Sequence, residues 1–104
     1  MKRRKLLGNG VVALRCARRW AWASGNYEQA GQISVILNDQ DLLLAAEVHL
    51  ADEAGSGLFA QLITWIKEHP EEFQAFIEFI LVLFMSAAEI KEAVTIEMEL
   101  AAAA

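Results

Sequence analysis

The sequence predicts a mainly α fold, a small helical domain, on three observations. Residues 58–66 carry Leu58, Phe59, Leu62, Ile63 and Ile66 at spacings of three and four, followed by Pro70 with Glu71 and Glu72. Proline opens a helix well, and the two acids favour the positive end of its dipole. The stretch DLLLAAEVHLADEAG (41–55) is rich in helix formers and stops at a glycine suited to a left-handed C-terminal cap. The segment FIEFILVLFMSAA (76–88) lies on the helix that Pro70 opens and makes it apolar around nearly all its circumference.

Taken in chain order, the first element is basic. Lys2, Arg3, Arg4, Lys5, Arg15, Arg18 and Arg19 supply seven of the nine positive charges of a chain whose net charge is −5. No acid occurs before residue 28. The division expected is a basic arm or helix over 1–25 and an acidic, mainly helical body over 26–104. Gly8-Asn9-Gly10 reads as a break, after which VVALRCARRWAWAS forms a short helix. Arg15, Arg18, Arg19 and Trp22 fall on one side of that helix, and Ala13, Leu14, Cys16, Ala17 and Trp20 lie mostly on the other. Basic residues interleaved with tryptophan suit nucleic acid or an anionic lipid surface. The candidate polyanion-binding residues are therefore Lys2, Arg3, Arg4, Lys5, Arg15, Arg18, Arg19, Trp20 and Trp22. Pairing of the arginines with the acidic body is the alternative that needs no partner. The Arg-rich start also resembles a mitochondrial presequence, and its apolar part is too short and broken for a signal peptide.

Ser24-Gly25-Asn26 ends this helix. Ile33, Val35, Ile36 and Leu37 favour β structure, so 31–37 reads equally as a short strand or a helix. Helix is preferred over 41–54, with Asp39 or Asp41 as its cap. Ser56 is the expected N-cap of the next helix, which ends before Pro70. The result is a helix-corner-helix over 56–93, its second helix running to about residue 93. Beyond it, Val94, Ile96, Met98 and Leu100 alternate with Thr95, Glu97 and Glu99, the period of a strand, and continued helix competes.

The apolar second helix raises the question of what covers it. Hydrophobic residues make up 56% of the chain, above the roughly 45–50% usual for soluble proteins, and the mean hydropathy is +0.30. Residues 73–88 would span about 24 Å as a helix, against about 30 Å for a bilayer core, and Glu78 adds a cost near the centre. A membrane span is therefore marginal. A buried core helix with a surplus apolar face is favoured, with Phe76, Phe79, Ile80, Leu83 and Phe84 as the candidate interface. Glu78 is the candidate acid with a perturbed pKa, if buried.

Chemistry is sparse. His49 and His69 have no second ligand at metal-binding spacing, Cys16 is alone, and GNG and GSG are too short to cradle phosphate. Neither a catalytic residue, a metal nor a cofactor is expected. The composition points to a non-enzymatic structural or interaction protein that oligomerises or docks into a larger assembly, in the cytoplasm or within that assembly. A small membrane-associated protein with 73–88 inserted is the second expectation, and a soluble protein-binding inhibitor or accessory module the third.

Overall fold

The computed structural model describes residues 2–103, with side chains from residue 8 onward. The described residues form six helices: α1 (Lys2–Ala23), α2 (Tyr27–Leu37), α3 (Gln40–Ala54), α4 (Phe59–Glu68), α5 (Pro70–Phe84) and α6 (Ala87–Ala103). The order of packing is not sequential. α2 lies at the centre and touches α1, α3, α5 and α6, while α1 also packs on α3 and α4.

The first correction concerns Gly8-Asn9-Gly10, which does not break a helix. α1 runs through it. Asn9 Nδ2 donates to the Gly57 carbonyl at 2.9 Å, tying α1 to the α3–α4 connection. A Cβ on Gly10 would stand 2.7 Å from Glu47 Cγ, so the missing side chain is what lets α1 and α3 approach. The small residues Ala13, Ala17 and Ala21, with Leu14, form the buried face of α1.

The β alternatives at 31–37 and 94–100 are also corrected, since both segments are helical. Asn26 caps α2 by accepting from the Gln29 amide at 3.3 Å. Residues 30–36 are all buried, so β-branched residues here fill a helix covered on every side. In α6 the apparent alternation dissolves. Val94 and Met98, four apart, pack against Gly31, where a Cβ would meet Met98 Cγ at 3.1 Å and the Val94 carbonyl at 3.2 Å. Ile96 and Leu100 face outward.

α3 starts at Asp39, whose carboxylate accepts from the amides of Asp41 and Leu42 at 2.9 and 3.1 Å, and ends at Gly55 with φ 78°. Ser56 is not the cap of α4. Its hydroxyl accepts from the Leu58 amide at 3.0 Å, a local turn, and α4 begins at Phe59 without a side-chain cap. α4 gives way to α5 at His69, with Pro70 in the first turn of α5. Trp65 stacks on His69 at 5.5 Å and meets Phe73 edge-on at 6.5 Å, so aromatic rings fill this junction. The second helix does not reach residue 93. α5 stops at Phe84, and Ser86 opens α6 in a capping box: the Glu89 amide donates to the Ser86 hydroxyl at 3.2 Å, and the Ser86 amide donates to Glu89 Oε1 at 2.8 Å. α6 then leaves α5 at a bend of 117°.

Candidate polyanion and docking surfaces

Because α1 is continuous, residues 15, 18, 19 and 22 recur on one side of it over two turns. Arg15, Arg18, Arg19 and Trp22 line a single open groove of about 560 Å³, bordered also by Ser34 of α2 and by Glu97, Leu100 and Ala101 of α6. Arg18 is half-buried and donates to the Ser34 hydroxyl at 3.3 Å, a neutral partner. Glu97 is the acid in the groove, and its Oε2 accepts from Asn38 Nδ2 at 3.4 Å. Trp22 packs against the exposed Tyr27 with ring centroids 5.1 Å apart.

The other sequence candidates are placed elsewhere. Trp20 sits outside this groove, with the Lys67 ammonium 4.8 Å from its ring centroid. The side chains of Lys2, Arg3, Arg4 and Lys5 lie outside the described residues. Ser34, Glu97 and Tyr27 were not candidates on sequence grounds, because only the return of α6 onto α2 and the α1–α2 turn bring them alongside α1.

The candidate interface divides. Phe76 and Ile80 are buried in the molecule's own core, whereas Phe79, Leu83 and Phe84 are exposed by 45, 47 and 51%. Val82, which sequence reasoning did not single out, is exposed by 61% and extends the same surface. The i, i+3, i+4 spacing of Phe79, Val82 and Leu83 makes them a ridge on one face of α5. At its start, the Phe79 ring meets His49 of α3 edge-on at 5.5 Å.

Glu78 is exposed and accepts from Gln74 Nε2 at 2.9 Å, so it is not a buried acid. It borders a cleft of about 550 Å³ between α2, α5 and α6, floored by Leu81, Val82, Ile90 and Val94. The buried acid is Glu47, 7% exposed, whose Oε2 has no hydrogen-bond partner. Burial pushes its carboxyl up to about 7, with the Val11 backbone amide acting in the opposite sense. A signal was present: Glu47 lies four residues after Leu43 and three before Leu50, on the apolar line of α3.

Among the described residues, no group of three or more His, Cys, Asp or Glu side chains is arranged to hold a metal ion. Among the described residues no single helix is long and apolar enough to cross a membrane, although α5 and α6 together reach that length and composition across their bend. No protein-family model, curated protein or solved structure matches the chain.

Proposed function

We infer that this is a non-enzymatic interaction protein that self-associates, or docks into a larger assembly, through the α5 ridge, while its basic helix contacts a polyanion. The observation that carries the reading is the ridge itself: Phe79, Val82, Leu83 and Phe84, all close to or above half exposed on the last two turns of one helix. Contiguous exposed apolar surface of this kind usually marks an interface. The rest of α5 is satisfied within the molecule, with Phe73, Phe76, Ile77, Ile80 and Leu81 buried. The surplus is therefore the face that carries Phe79, Val82 and Leu83, continued by Phe84 at the end of the helix.

Size-exclusion chromatography with light scattering, in detergent-free buffer, tests this. The unmodified chain is expected to run as a defined oligomer, and Leu83→Glu to run as a monomer of unchanged helicity. A monomer for both across the accessible concentration range refutes self-association. Membrane association is the second reading, favoured by the apolar α5–α6 pair. Recovery of the chain only after detergent extraction of membranes supports it over the first.

A further inference from the structure

We propose that the groove between α1, α2 and α6 binds single-stranded nucleic acid, with Arg15, Arg18 and Arg19 on the phosphates and a base stacked on Trp22. This rests on the reading of α1 as a polyanion-binding element and narrows it to one class of ligand.

Three observations favour a strand over a lipid surface. The arginines border an open groove shared with α2 and α6, so a ligand there meets three helices at once. A helix that binds a membrane surface must bury its own apolar stripe in the lipid. The apolar stripe of α1, Ala13, Leu14, Ala17 and Ala21, is already buried in the core. Finally, the groove pairs its cations with an aromatic ring. Trp22 meets Tyr27 at 5.1 Å with the ring planes tilted by 54°, and arginines beside an indole are the combination that takes phosphates and bases together. Guanidinium groups also bind phosphate oxygens in a two-pronged geometry that an ammonium cannot match. A duplex fits less well, because its bases are stacked on each other and have no free face for Trp22.

Glu97 sets the limit of the site. Its carboxylate shares the groove with the three arginines and is steered towards Asn38. It opposes phosphate at the α6 wall, so Glu97→Gln is expected to tighten binding.

The test is fluorescence anisotropy of a dye-labelled oligothymidylate, with a duplex and phosphatidylserine-containing vesicles as competing probes. The oligonucleotide is expected to bind at low salt. Three phosphate contacts give a slope of log K against log salt of about −2, and Arg15→Gln with Arg19→Gln reduces that slope by about 1.4. Trp22→Ala is expected to weaken binding about five-fold or more, and Trp22→Phe to retain most of it. Equal or tighter binding of the duplex, or a Trp22→Ala variant that binds as well as the parent, overturns the assignment. Binding to vesicles without binding to the oligonucleotide overturns it while leaving the polyanion reading intact. Binding to neither refutes both. Should a variant lose helicity, the parent chain decides alone, since a slope much shallower than −2 overturns the three-arginine contact.

Discussion

Glu47 and Gly10 form the contact on which the α1–α3 packing depends. With its carboxyl raised to about 7, the folded chain holds the Glu47 proton more tightly than the unfolded chain, where the group titrates near 4.5. The stability that this group contributes is therefore fully present below pH 4.5, declines as pH rises from there to about 7, and is lost above it. Glu47→Gln is expected to flatten this profile in urea unfolding and to be more stable than the parent above pH 7, by about 1–2 kcal/mol. A parallel profile in the variant would show that another group is responsible. The glycines give a paired experiment. Gly8 is exposed, with nothing within 4 Å of a Cβ, so Gly8→Ala is expected to stabilise α1 by about 0.5–1 kcal/mol. Gly10→Ala places a methyl group 2.7 Å from Glu47 Cγ and is expected to destabilise by about 1–3 kcal/mol. Two alanines with the same sign of effect would contradict the close approach.

At the scale of elements, the Ser86–Glu89 box decides that α5 and α6 are two helices. The hydrogen bonds from Ser86 hold the Glu89 carboxyl below its usual range. Ser86→Ala is expected to cost about 1 kcal/mol in thermal or urea unfolding, and a variant indistinguishable from the parent would show that the bend is made by packing alone. This box is also where the sequence could have been read further: SAAE is the signature of a helix start, but it lay inside an apolar run that suggested continuity. Other elements were legible for local reasons. Asp39 and Gly55 bracket α3, and Pro70 with two acids marks the start of α5, because caps and proline act within a few residues. The Gly8–Gly10 segment and residues 94–100 were not, since their conformation is set by contacts from afar, Glu47 in one case and Gly31 in the other. The candidate site followed the same division. The periodicity of α1 put Arg15, Arg18, Arg19 and Trp22 on one face, whereas the opposite wall of the groove required knowing where α6 returns.

For the molecule as a whole, the radius of gyration is 13.0 Å, close to the ~13 Å expected of a self-contained chain of this length. The exposed ridge on α5 is thus not the by-product of an open structure, and an interface there adds to a core that is already closed. The deepest part of that core is α2, wrapped by four other helices and buried without interruption from residue 30 to residue 36. Water cannot reach these amides by fraying one end or by lifting a single neighbour. In deuterated buffer they are expected to be the last in the chain to exchange, at a rate set by global unfolding. The centre of α2 is thus the molecule's clock. Any partner that engages the ridge or the groove slows exchange there in proportion to how tightly it holds the folded state, whichever surface it has chosen.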